Sequence, residues 1–361
     1  MATETIEGAA PAKHRYIGPV FDGDTHLYET PDAFSRYMPK EYAADWQLHY
    51  KVGDDGKFAL YVGPRKVEIS ADYMTEDQRI PPPGKLHEWL RAQKEGKSEV
   101  DMRVPISAEM TDPAERVKYL DKWNVRSSLL YCGNFVSAIS YLDEIKPAYA
   151  VLEAYNRWML DQWTFNYHDR FWAIVNEAKL RVIFHVSEAI YMKHHMAVWG
   201  EPVQQSRLRQ TAFVWMHGYS ERPVIETLSS FVFWNFFERF PNIKLVSAEN
   251  GAEWVPAMLV KMDKCRGMAK NGFWPAGQLK ERPSKIFMKN IMVVAYPEDD
   301  IASIVEQTGN ADWLLMGTDY PHSEGVPEPH DFADEACTNL SDEDTRKVMY
   351  ENGMKLMGYP L

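Results

Sequence analysis

The stretch Leu314-Leu315-Met316-Gly317-Thr318-Asp319-Tyr320-Pro321-His322 decides how the rest of the chain is read. Its apolar run has the character of a short buried parallel strand, and Pro321 argues against continuation as a central strand. Asp319 therefore falls where a strand gives way to a loop. In an α/β barrel this carboxyl end is where catalytic groups gather. Taken alone, an aspartate before Tyr-Pro reads more simply as the start of a turn. The balance shifts because three other strand ends carry ligand-type side chains.

The first is Val20-Phe21-Asp22-Gly23-Asp24-Thr25-His26, in which Asp24 and His26 stand two apart and so share a face of an extended chain. The second runs from Leu180 to Ser187, with His185 near its end, and the third from Ile243 to Glu249, followed by Asn250-Gly251. With Val125 to Tyr131 and Asn290 to Ala295, strands are expected near residues 20, 128, 184, 246, 292 and 315. Helices are expected from Asp112 (a cap, followed by Pro113) to Trp123, from Ala148 to about Asn166, and from Asp169 through Lys179. Further helices are expected over 223–239, from near Glu253, from Pro297 to Thr308, and from Ser341, with Asp344 in a capping-box-like position. This alternation points to a parallel α/β architecture.

Residues 1–17 read as a flexible lead, and 18–361 as a single barrel domain. Within it 30–110, rich in Pro, Lys, Asp and aromatics, reads as an insertion over the barrel mouth with a hairpin around Gly63-Pro64. The adjacent pair His194-His195 points two ways on any regular element and reads as surface. No glycine pattern of a phosphate loop occurs.

The chain has 361 residues, 45% hydrophobic and 25% charged, which is material for one large barrel. A net charge of −12, spread along the chain, argues against a nucleic-acid partner or a basic membrane-docking face. Cys132, Cys265 and Cys337 lie far apart and read as free thiols of a reducing compartment. Residues 1–15 lack an apolar core segment, and no run reaches the roughly 20 apolar residues of a membrane span, so a cytoplasmic location is expected.

Asp24, His26, His185, Glu249 and Asp319 together offer imidazoles and carboxylates of the kind that hold a divalent zinc or manganese ion. On these residues, and on Phe240-Pro241-Asn242-Ile243-Lys244-Leu245 and Gly317-Thr318-Asp319-Tyr320-Pro321-His322, the chain resembles the amidohydrolase superfamily. The branch is the one similar to 2-amino-3-carboxymuconate-6-semialdehyde decarboxylase and gamma-resorcylate decarboxylase. The resemblance implies a TIM-type (β/α)8 metal-dependent hydrolase barrel. It also implies one divalent ion, zinc or alternatively manganese, held by Asp24, His26, His185 and Asp319, and a homodimer or higher homo-oligomer.

Two departures from the family pattern stand out. Glu249-Asn250-Gly251 replaces the common His-Gly-Gly. Only two helical stretches separate Tyr131 from Leu180, so the barrel is expected to be shortened by about two βα units, roughly fifty residues. The implied function is non-oxidative decarboxylation of a small carboxylated aromatic or unsaturated substrate. Asp319 would be the proton shuttle, with Glu249 and His322 supporting substrate or metal. Alternatives are metal-dependent hydrolysis at the same site, or a noncatalytic relative with an incomplete barrel.

Overall fold

The structure is a computed structural model describing residues 15–70, 73–96, 102–164, 166–168, 171–172, 181–186, 196–201, 211–218 and 221–361. Its centre is an arc of parallel strands. Val20–His26 pairs with Val125–Tyr131, which pairs with Phe171–Trp172. On the other side Leu314–Leu315 pairs with Ile291–Val294, that strand with Lys244–Ala248, and the last with Arg181–His185. The two four-stranded sheets meet at a parallel bridge between Thr25 and Tyr320. Bonds from Gly23 N to Met316 O (3.0 Å) and from Asp319 N to Asp24 O (2.8 Å) extend this seam.

Period-two alternation divides the strand residues between two cores. Phe21, Leu129, Tyr131, Val246, Ala248, Val294 and Leu315 form one cluster, joined by Met354 and Leu356 of the C-terminal helix. Val20, Leu130, Leu245, Ile291, Val293 and Leu314 face the other way into the larger cluster shared with the surrounding helices, which Val125 at the start of its strand also joins. That cluster contains the fully buried Trp158, Trp163 and Trp313. The C-terminal helix Asn352–Met357 packs where the strands begin: a Cβ on Gly353 would overlap the Phe21 ring, and Arg181 Nε donates to Leu356 O at 2.6 Å. The opposite end, where the strands finish, is left for the ligand-type residues.

Several expected elements occur with nearly the expected bounds. Asp112 caps Pro113–Lys122 by accepting from the N–H groups of Ala114 and Glu115. Ser341 accepts from Asp344 N, as a capping serine does. The hairpin at Gly63-Pro64 is part of a three-stranded antiparallel ribbon, Leu48–Val52, Phe58–Val62 and Arg65–Lys66.

Three expectations are corrected. The helix over 148–166 instead spans Ile145–Gln162. Of the helix expected from Asp169 through Lys179 only Phe171–Trp172 lies within the described residues, and it is a strand, with an antiparallel partner Asn166–Tyr167. The parallel strands therefore number seven, not six, among the described residues. A two-residue strand carries no readable period, whereas aromatic-rich sequence followed by a polar run mimics a helix. The helix expected from Pro297 begins only at Ile301, capped by Asp300, which frees 296–299 as a loop at the ligand end.

Candidate metal centre

Asp24 and His26 come from the end of the first strand, His185 from the end of the fourth, Glu249 from just beyond Lys244–Ala248, and Asp319 and His322 from the loop after Leu314–Leu315. All six converge. The ligand atoms of Asp24, His26 and His185 lie within 4.8 Å of one another, and so do those of His26, Glu249, Asp319 and His322. His26 Nε2 is 3.4 Å from Asp24 Oδ1 and 3.1 Å from Asp319 Oδ1. His185 Nε2 is 3.7 Å from Asp24 Oδ1 and 3.2 Å from Glu249 Oε2. His194 and His195 lie outside the described residues.

The tautomers follow from the outer bonds. His26 Nδ1 is 2.8 Å from Cys132 O, and His185 Nδ1 is 2.9 Å from Val186 O. A carbonyl only accepts, so each Nδ1 carries the hydrogen, and a ring that binds a metal would present its Nε2 lone pair inward. The two Nε2 atoms face each other at 3.2 Å. Two lone pairs so placed call for a cation between them. Nitrogens each about 2.0–2.1 Å from a shared ion would stand about this far apart. Buried Asp24 Oδ1 and Asp319 Oδ2 each lack a hydrogen-bond partner, which leaves two further donors for the same ion. The donor set fits a divalent-metal site.

Electrostatics sort the carboxylates. Burial works against the charge of Asp24, but the facing imidazoles of His185 and His26 hold it below its ordinary range. Burial likewise opposes Asp319, yet the charge of His322 and bonds from His26 and His322 keep it well below the usual carboxylate range. Glu249 goes the other way: burial, then the charges of Asp319 and Asp24, push it far up. For His26, burial opposes protonation but Asp24 and Asp319 outweigh it and raise the imidazole well above its usual range, so that without an ion its Nε2 holds a proton whose place a bound cation would take.

The backbone is shaped to serve these side chains. Glu249 and Asp319 both have positive φ, at 50° and 55°, a region that costs a bulky residue about 1–2 kcal/mol. Asp319 is held there by the Asp24 carbonyl, and the Glu249 carbonyl accepts from Tyr296 Oη at 2.8 Å. A Cβ on Gly317 would lie 2.5 Å from Val294 Cγ1 and 2.7 Å from the Cβ of Asp24, so only glycine lets Asp24 sit where it does. His322 Nδ1 lies 2.8 Å from Asp319 Oδ1, and its ring stands 4.0 Å from that of His26.

Sequence reasoning missed the groups that hold the ligands. Asp22, 2% exposed, accepts from Thr318 N (3.0 Å), Thr318 Oγ1 (2.6 Å) and Asp24 N (3.1 Å). The Asp22-x-Asp24-x-His26 spacing was its available signal. Asp299 accepts from the N–H groups of Ala252 (2.7 Å) and Tyr296 (2.8 Å), far from anything its sequence neighbours reveal. A cavity of about 410 Å³ opens beside the cluster, lined among others by Val294, Tyr296, Pro297, Glu298 and Glu324.

The Amidohydrolase family profile matches residues 146–358, more than half of the chain. No curated protein matches in sequence. An amidohydrolase from Mycobacterium avium subsp. paratuberculosis K-10 shares the fold at a TM-score of 0.75 and 21% identity, covering 94% of this chain and 99% of its own. A dihydroxybenzoic acid decarboxylase from Polaromonas sp. JS666, with bound manganese and 2-nitroresorcinol, superposes at a TM-score of 0.51 and 13% identity over 94% of this chain and 97% of its own. The 2,6-dihydroxybenzoate decarboxylase from Rhizobium does so at 0.51 and 12%, over 94% and 98%. With the family match resting on sequence and the barrel arc carrying a convergent His and carboxylate cluster, the chain belongs to the amidohydrolase family.

Proposed function

We propose that the protein is a metal-dependent decarboxylase of a small carboxylated aromatic acid, with the divalent ion held by Asp24, His26, His185 and Asp319. The observation that carries the metal reading is the inward-facing pair of Nε2 atoms at 3.2 Å, beside the unpartnered oxygens of Asp24 and Asp319. The ion, zinc or manganese, supplies when bound a positive charge that grips a substrate carboxylate or hydroxyl oxygen. The reaction type is supported by the shared fold of the two dihydroxybenzoate decarboxylases.

The cavity suits a single-ring substrate by size. Its described lining includes Glu249, Glu298 and Glu324 and no arginine or lysine, so a substrate carboxylate has no protein cation to neutralise it there. Decarboxylation breaks the bond to the carboxyl carbon, and the electron pair left on the ring carbon takes a proton. Glu249, the carboxyl group most disposed to keep its proton, is the donor in this reading. Asp319, expected from the sequence to be the proton shuttle, instead stays ionised and anchored in this reading, and His322 steadies it through the 2.8 Å bond. Seven parallel strands among the described residues support a working barrel, and we infer that any shortening amounts to at most one βα unit.

The test is elemental analysis of gently purified protein, followed by carbon dioxide release from a panel of hydroxybenzoates. About one divalent ion per chain, lost in His185→Ala, and turnover of at least one acid are expected. Metal with lactone or amide turnover instead would make the protein a hydrolase. No ion retained, and none taken up from zinc or manganese, would leave a noncatalytic relative.

A further inference from the structure

Glu29 lies three residues beyond His26 and takes no part in the metal cluster, yet four donors converge on its carboxylate. Gly133 N donates to Oε1 at 3.0 Å, Asn134 N to Oε2 at 3.0 Å, Phe135 N to Oε1 at 3.3 Å and Tyr155 Oη to Oε1 at 3.2 Å. Three successive backbone N–H groups on one carboxylate fix the course of the loop that follows the Val125–Tyr131 strand. That loop opens with Cys132, whose carbonyl accepts from His26 Nδ1 at 2.8 Å. The turn is tight: a Cβ on Gly133 would overlap the Leu27 carbonyl. The anchor is itself fastened, since Tyr155 belongs to the helix Ile145–Gln162, whose Trp158 Nε1 also donates to Thr30 Oγ1 at 3.0 Å.

We propose that Glu29 is a positioning residue for the metal centre: by gripping 133–135 it places the Cys132 carbonyl that fixes the tautomer and tilt of His26. The inference rests on the metal reading of the site. Outer partners of metal-bound histidines typically change metal affinity by about 10–100-fold when removed. The acceptor is a backbone carbonyl and cannot be mutated away, so Glu29 is the handle on it.

The experiment measures divalent-ion affinity by chelator competition and the visible spectrum of the cobalt(II)-substituted protein for wild type, Glu29→Gln, Glu29→Asp and Tyr155→Phe, with melting temperatures alongside. Expected are an affinity loss of about tenfold or more and an altered cobalt spectrum in Glu29→Gln and Glu29→Asp. Tyr155→Phe, which leaves all three N–H bonds in place, should melt lower but keep wild-type affinity and spectrum. If Glu29→Gln does not fold, Glu29→Asp carries the comparison. Folded Glu29 variants with wild-type affinity and an unchanged spectrum overturn the proposal and make Glu29 a packing residue only. Wild-type protein that takes up no divalent ion overturns the metal reading, and this inference with it.

Discussion

Buried Asp319 and partly buried Glu249 both stand on left-handed backbone within one cluster, and yet they are driven in opposite directions. Asp319 has two imidazoles, of His26 and His322, against its Oδ1, whereas Glu249 meets the charges of Asp319 and Asp24. In the decarboxylase we propose, such a separation between neighbouring acids would make Glu249 the proton donor and Asp319 the anion. Glu249→Gln is therefore expected to keep the metal and lose about 10²-fold or more in turnover. A variant that decarboxylates normally, or one that sheds the ion, would remove Glu249 from the donor role. Asp22 matters differently: burial pushes its carboxyl up to about 7, and it satisfies three donors beside the ligands. Asp22→Ala leaves those donors buried and unpaired, at a cost of about 2–5 kcal/mol. Chemical denaturation should show that loss together with weakened metal retention; a variant as stable as wild type would mean the seam tolerates its absence.

Several corners around the ligands share a device: a carboxylate outside the cluster, wholly or largely buried, ties the corner through backbone N–H groups. Asp22 ties the Thr318 corner, Glu29 the Cys132 loop and Asp299 joins Ala252 to Tyr296. Asp299 gives a pH prediction away from the ligands. Burial raises it from 3.8 to about 6, against the pull of its two N–H bonds, with Glu253 and Glu298 adding repulsion. Between those values the folded chain holds a proton that the unfolded chain has released, so stability from this group falls as pH rises from about 4 to about 6. The span sets a ceiling of about 3 kcal/mol at 1.36 kcal/mol per pH unit. Asp299→Asn keeps an acceptor oxygen and removes the titration, so its stability relative to wild type should rise across that window. A constant difference from pH 4 to 7 would show Asp299 ionised throughout.

These fastenings also explain what could be read from the sequence. Asp24, His26, His185, Glu249, Asp319 and His322 were all legible because strand ends punctuated by polar residues are visible in a linear pattern, and the structure brings all six together. The carbonyls of Cys132 and Val186 were not, since any residue supplies a carbonyl. Asp299 escaped because its sequence, Pro297 to Asp300, looks like a helix start, and the cap proved to be Asp300. Phe171–Trp172 escaped because its pairing with Ser128 and Leu129 is set by register, not by period.

At the scale of the whole molecule, the cluster straddles the seam between two hydrogen-bonded sheets. Asp24 and His26 belong to the sheet that runs through Val125–Tyr131, while His185, Glu249, Asp319 and His322 follow strands of the other. The seam itself rests on the Thr25–Tyr320 bridge, a few backbone bonds and the Asp22–Thr318 contact. An ion shared by His26 and His185 would clasp the sheets from the far side of Asp24 and neutralise carboxylates that otherwise repel across it. Folding stability should then depend on metal by mass action, by about 2.7 kcal/mol at a hundredfold excess over the dissociation constant. Stripping the protein with a chelator is expected to lower its melting temperature by several degrees, and adding back the ion to restore it. His185→Ala should melt at the stripped temperature whether or not metal is supplied, because the far half of the clasp is gone. Identical melting of stripped and loaded wild type would mean the two sheets are joined by their backbone seam alone, and that the cluster sits on a surface already rigid without it.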